Sequence, residues 1–364
     1  MYSFEPSEEQ RMLIDAAQRY ATNDLRPAAH EADETGLLPP ALIEKGWELG
    51  VLQASIPESF GGFGEHSALT GALAAEELAY GDLAGALAAM APATYAIPIL
   101  LAGTEEQKTR LLPPVIEAEW KPYVAAFVEP HYDFDPSAMH TQAEREGEGY
   151  VLAGEKAFVP FADTAKSFLI FASLEGKTQG FIVPAGAAGL KVGERESLLG
   201  LRGLPTFRLR LEGVRVGAEG RLGGEAGHDP APLLAATNVA VAAIAVGLSR
   251  AAYDYALAYA KDRQAFGAPI AQKQAIAFGL AEMATEIEAI RLLVWEAAWK
   301  LDQGKEDAAK TAYLALIGAS DMAMMVTDRA VQYLGGHGYI REHPVELWMR
   351  NGRGIPAFAG LAMV

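Results

Sequence analysis

The 364-residue sequence contains no cysteine, which excludes disulfides, thiolate metal sites and cysteine nucleophiles. Positive charge is scarce: 30 Lys and Arg residues stand against 47 Asp and Glu, for a formal net charge of −17. No Lys/Arg block of useful length occurs, so binding to a nucleic-acid backbone is not expected. The acidity by itself describes a solvated surface. The most apolar stretch, 69–103, is interrupted by Glu76, Glu77, Asp82 and several Gly and Pro residues, and reads as buried helix rather than a membrane span. The opening Met1-Tyr2-Ser3-Phe4-Glu5 has neither a basic n-region nor an apolar h-region, so no secretory signal is expected and the location is expected to be cytoplasmic. No metal site is expected. What is present is 51% hydrophobic and 21% charged, a globular composition in a chain long enough for two or three domains.

The hydrophobic pattern changes character twice. Residues 1–118 look helical. Ser7-Glu8-Glu9-Gln10 has capping-box spacing ahead of a Leu13, Ile14, Ala17, Tyr20 stripe. Further helices are expected at 42–49, at 68–80 and from Glu105, with a turn-rich loop at Ile56–Gly64. Residues 119–227 switch to period two: Tyr150-Val151-Leu152, Phe168 to Phe171 and Phe181-Ile182-Val183 are short β-rich runs, and Thr206 to Glu212 alternates with Phe207, Leu209 and Leu211 on one face. With no helical stretch between these runs, a small antiparallel barrel or sandwich is expected. Residues 228–364 return to helices. Ile276, Leu280, Met283, Ile287, Ile290, Val294, Ala297 and Leu301 form a continuous stripe, and 233–259 is nearly apolar all round. The expected architecture is α+β and multidomain, with a helical N-terminal domain, a small antiparallel β domain and a C-terminal four-helix bundle.

Several motifs lie on this frame. Leu49-Gly50-Val51 runs into Ile56-Pro57-Glu58 and Gly61-Gly62; Glu76-Glu77-Leu78-Ala79-Tyr80-Gly81 precedes Gly103-Thr104-Glu105-Glu106-Gln107-Lys108. Arg263-Gln264-Ala265-Phe266-Gly267 is followed by Gln274, and Gln332 to Tyr339 reads Gln-Tyr-Leu-Gly-Gly-His-Gly-Tyr, ahead of Arg350-Asn351. In this order and spacing they resemble the acyl-CoA dehydrogenase flavoproteins over nearly the whole chain. The resemblance implies FAD, an acyl-CoA substrate and a place in fatty acid metabolism. It implies a reaction in which a carboxylate takes the α-proton of the thioester while the β-hydrogen passes to FAD as hydride. It also implies that Arg263 pairs with the FAD pyrophosphate, with Phe266 and Gln274 nearby, and that Gln332, Gly335 and Gly336 meet the adenosine half. Arginine suits this role through its bidentate fork. Read alone, Arg263 would be an ordinary helix-end salt bridge and the glycines one turn.

Other family features are absent. The base usually follows the arginine matching Arg350 by nine residues, where this sequence has Ala359 within Phe358-Ala359-Gly360-Leu361. Some members carry the base on the first bundle helix instead, and here that position is Thr237. The usual Thr-Glu-Pro-Gly-Ala-Gly-Ser-Asp loop reads Val128-Glu129-Pro130-His131-Tyr132-Asp133-Phe134-Asp135, and Lys-x-Trp-Ile-Thr-Asn reads Lys156-Ala157-Phe158-Val159-Pro160-Phe161. Phe158 could still stack on a flavin, but Pro160 offers no N–H. No catalytic residue is therefore assigned, although Asp82 or Glu342 could in principle have moved in. Two readings follow: a non-catalytic subunit that completes the FAD site of a paralogous acyl-CoA dehydrogenase, with FAD bound only together with that partner, or a self-sufficient dehydrogenase with a relocated base. Either implies a homo- or hetero-oligomer, dimer or tetramer.

Overall fold

The computed structural model describes residues 5–364. The expectation made on Met1 to Phe4 lies outside the described residues. Helix α1 (Glu8–Tyr20) opens on the capping box its sequence announces: Ser7 Oγ accepts from Gln10 N, and the Gln10 side chain accepts from Ser7 N. Such a cap stabilises a helix by about 1 kcal/mol. A π turn at Ala21–Leu25 leads into α2 (Arg26–Thr35), where Pro27 sits at a first-turn position that needs no N–H partner. The helices α3 (Pro40–Trp47), α4 (Val51–Ala54), α5 (Ala68–Gly81), α6 (Leu83–Met90), α7 (Ala93–Ala102) and α8 (Glu105–Leu111) follow. The second capping box falls at Thr104/Gln107.

The middle of the chain is a seven-stranded sheet of β1 (Tyr123–Ala126), β2 (Gln142–Glu146), β3 (Gly149–Pro160), β4 (Ser167–Leu174), β5 (Lys177–Pro184), β6 (Leu190–Arg195) and β7 (Thr206–Val216). The order is β1-β4-β2-β3-β7-β6, with β5 also paired to β4. Among the described residues, only β1–β4 and a short β2–β4 contact are parallel. The period-two pattern is kept in β7, where Phe207, Leu209 and Leu211 are buried and Arg208, Arg210 and Glu212 are exposed. The β3–β7 register slips between Lys156 and Val159, a bulge in which Phe158 takes a left-handed φ of 55°. Bulges of this kind re-aim side chains.

Three long helices and a short one complete the chain: α9 (Pro230–Asp262), α10 (Gln274–Asp302), α11 (Ala308–Leu334) and α12 (Val345–Gly352), with a hairpin of β8 (Gln264–Ala265) and β9 (Ala268–Pro269) after α9. α9 is long and apolar enough to cross a membrane, yet 83% of its most apolar window is buried inside the protein. Its apolar circumference is explained by α5, α10 and α11, which surround it. Two buried carboxylates on α5 are matched by guanidiniums from the bundle. Arg250 lies 2.5 Å from Glu76 and 2.6 Å from Glu77, and Arg291 lies 2.8 Å from Glu76. This cluster ties the N-terminal helices to the bundle, because removing either side would leave an uncompensated buried charge.

Candidate functional site

Thr237 and the residue that follows Ala359 meet in the fold. Thr237 lies buried on α9, and its Oγ1 accepts from Gly360 N at 2.8 Å. Gly360 has a φ of +75°, and a Cβ there would lie 2.4 Å from Cβ of Phe127, so only glycine permits this approach to β1. Beyond it, Leu361, Ala362, Met363 and Val364 are buried. Val364 closes on Gly71 of α5, where an added Cβ would come within 2.9 Å of Cβ of Val364. What stays open between α3, α5, α6, α7 and this segment is a cavity of about 40 Å³ bordered by Trp47, Leu78, Met90, Ile97 and Met363. That is room for a water or two, against roughly 300 Å³ or more for a small-molecule site.

The buried acidic side chains among the described residues are Asp33, Glu76, Glu77, Asp82 and Glu129, and each is committed elsewhere. Asp33 pairs with Arg341 and Arg350, and Glu76 and Glu77 hold Arg250. Asp82 caps α6, its Oδ2 accepting from Gly85 N at 2.7 Å, and burial pushes its carboxyl up to about 6. Glu342 is exposed on a separate depression with Arg26 and Arg341.

The β-domain stretch expected to face a flavin is held from within. Glu129 and Lys156 form a buried ion pair at 2.9 Å, with 1% and 0% of their side chains exposed. Burial alone would raise the Glu129 carboxyl, but Lys156 and the Thr141 contacts outweigh it and hold it below the usual range. Burial lowers Lys156 to about 8. Val128 O accepts from Ala157 N at 2.9 Å, and Phe158 N donates to Glu196 Oε2 at 2.9 Å. Pro160 has no N–H to offer. The backbone donors of Ala157 and Phe158 are thus spent inside the protein, and the stretch is a poor fit for the polar edge of an isoalloxazine ring. Phe158 is half-buried and borders an open cavity of about 900 Å³ with Glu129, His131, Glu196 and Arg208. That cavity is lined only by residues between 129 and 210.

The bundle carries the opposite kind of surface. Arg263, Gln274 and Gln332 are exposed. Among the described residues Arg263 makes no ion pair, so the helix-end salt bridge does not form. Phe266 stands 97% exposed at a φ of 53° in the turn between β8 and β9. The glycine run divides. Gly338 serves the local turn, since a Cβ there would lie 2.2 Å from Val331 O, whereas Cβ atoms at Gly335 and Gly336 would meet nothing within 4 Å. An unpaired guanidinium, an exposed ring and open glycine backbone fit a phosphate and the ribose beside it.

Sequence reasoning missed two features. The capture of Phe158 N by Glu196 joins residues far apart in sequence, and nothing local announces it. The Glu129, His131 and His140 grouping arises because both histidines flank the diverged loop; the eight-residue interval between them matches no familiar ligand spacing.

Residues 7–119 match the N-terminal domain of acyl-CoA dehydrogenases, 125–214 the middle domain and 233–362 the C-terminal domain. The chain is 34% identical to the human short-chain specific acyl-CoA dehydrogenase, mitochondrial, over 100% of this chain and 89% of the relative. Butyryl-CoA dehydrogenase from Megasphaera elsdenii superimposes with a TM-score of 0.89 at 33% identity, over 100% of this chain and 96% of that one. The FAD complex of PigA superimposes with a TM-score of 0.88 at 27% identity, over 99% and 96%. Fold, motif order and relatives agree: this chain belongs to the acyl-CoA dehydrogenase family.

Proposed function

We propose that this chain is the non-catalytic subunit of a heteromeric acyl-CoA dehydrogenase, lending its bundle surface to the FAD site of a catalytic relative. One contrast carries the reading. The surface suited to the pyrophosphate is exposed and unspent at Arg263, Phe266, Gly335 and Gly336, while the place for the base is closed by the Thr237–Gly360 hydrogen bond and holds no carboxylate. When bound, FAD supplies the hydride acceptor of the dehydrogenation. This chain's own part is to pair the pyrophosphate through Arg263, to cover the partner's cofactor with Phe266, and to meet its adenosine side with Gln274, Gln332 and the Gly335-Gly336 backbone. Exposed apolar side chains on α10 and α11, among them Phe278, Leu292, Tyr313, Leu314 and Ile317, supply contact area for a dimer or tetramer.

The test is cofactor stoichiometry. The purified chain is expected to carry little or no FAD and to form a dimer or tetramer. Co-expression with a full-length relative that has its base is expected to give one FAD per heterodimer. Full occupancy in every subunit of the isolated chain, with turnover of an acyl-CoA, would replace this reading with a self-sufficient dehydrogenase.

A further inference from the structure

At the mouth of the 900 Å³ cavity, the loop that departs most from the family pattern brings three metal-ligating side chains together. One carboxylate oxygen of Glu129 and one ring nitrogen each of His131 and His140 lie within 4.8 Å of one another. The two imidazole rings are 4.3 Å apart between centroids and tilted by 47°. The carboxylate is already aimed. Oε1 accepts from Lys156 Nζ at 2.9 Å and Thr141 N at 2.8 Å, and Oε2 accepts from His140 N at 2.7 Å. Each carboxylate oxygen has two lone pairs, so Oε2 keeps one free. Both histidines are exposed, and among the described residues neither ring nitrogen hydrogen-bonds to another protein group.

We propose that Glu129, His131 and His140 form a site for a borderline divalent transition metal, with Zn²⁺ the best match. Two imidazoles and one carboxylate suit Zn²⁺, Ni²⁺ or Cu²⁺ and disfavour Mg²⁺ and Ca²⁺, which prefer all-oxygen sets. Three protein ligands leave a fourth tetrahedral position open. A tetrahedral Zn²⁺ site with ligand distances near 2.0–2.1 Å needs donor atoms about 3.3 Å apart. The observed separation closes by rotation of the two exposed rings, which nothing else holds, while Glu129 stays fixed. The neighbouring Lys156 ammonium opposes a second cation, so the affinity is moderate. The bound metal would pin the loop between residues 131 and 140.

Titration of the metal-free, full-length protein with Zn²⁺ against a chromophoric chelator tests this. One equivalent is expected to bind, Mg²⁺ and Ca²⁺ are expected not to compete, and His131→Ala or His140→Ala should each weaken binding by at least ~10-fold. The double variant should abolish it. Glu129→Gln also removes the partner of buried Lys156 and risks unfolding, so the exposed histidines carry the test, with folding checked by circular dichroism. His343→Ala, in the stacked His337–His343 pair, should leave binding unchanged. Absence of saturable binding well above the protein concentration, or unchanged affinity in the double variant, would overturn the proposal.

Discussion

The bundle surface around Arg263 and the cleft around Ala359 belong to one chain and have opposite polar economies. In the first, Arg263 makes no ion pair among the described residues, and a side chain added at Gly335 or Gly336 would meet nothing within 4 Å. In the second, groups are bonded within the protein: Gly360 N to Thr237, Phe158 N to Glu196, and Glu129 Oε1 to Lys156. A buried polar group must find a partner, and when no ligand is to supply it the protein does. The difference shows that a binding surface is recognisable by what it leaves unspent.

Chemistry should separate the two regions most. The isolated chain is expected to oxidise acyl-CoA at least ~10²–10⁴-fold more slowly than a relative with its base, measured by acyl-CoA-dependent reduction of a dye. Ala359→Glu should restore little, since Val128 and Pro160 remain. Ordinary turnover by the unaltered chain would erase the contrast.

Stability should follow the same line. Lys156→Met strands Glu129 in the interior and is expected to cost about 3–5 kcal/mol in denaturant unfolding. Arg263→Ala, on the unspent surface, should change stability by less than ~0.5 kcal/mol. Comparable losses for both would mean that the bundle surface is structural.

Asp82 sharpens the comparison, because it is a carboxyl raised toward the range of a useful base yet bonded as a helix cap. Its ordinary value is 3.8 and its folded value about 6, so between these the native state binds the extra proton. Stability contributed by this group therefore falls as pH rises through that window, by up to ~3 kcal/mol. Asp82→Asn keeps the cap and should flatten the slope in pH-dependent unfolding, with no effect on any redox activity. An activity change with an unchanged slope would make Asp82 a relocated base after all.

A more modest effect than the loss of Lys156 is expected in the heteromer. Arg263→Ala should weaken FAD retention in the partner's site by about 1.5–3 kcal/mol, the worth of a hydrogen bond to a charged group, read as FAD released on dilution. Unchanged retention would detach this surface from the cofactor.

Much of the fold could be read from periodicity, because burial on one face imposes it. The Ile276–Leu301 stripe became α10, the nearly all-apolar 233–259 run became the surrounded helix α9, and the alternation at Phe207, Leu209 and Leu211 became β7. The capping box at Ser7 was also explicit, since its partners are three residues apart. The bulge at Phe158 left no local mark. The division of Gly338 from Gly335 and Gly336 depends on where Val331 O lies, which spacing does not state.

By itself, the sequence determined the order of helical, β and helical regions, the family, and the identities at Ala359, Thr237, Val128 and Pro160. The tertiary structure alone decided that Thr237 and Gly360 bond to each other, that Leu361–Val364 pack down toward Gly71, that Glu196 takes the Phe158 amide, and that His131 and His140 meet beside Glu129. Secondary structure is written in neighbours a few residues apart, whereas these contacts join distant residues, 123 positions apart for Thr237 and Gly360 and further still for Gly71 and Val364, and only strand register and domain packing bring such residues together.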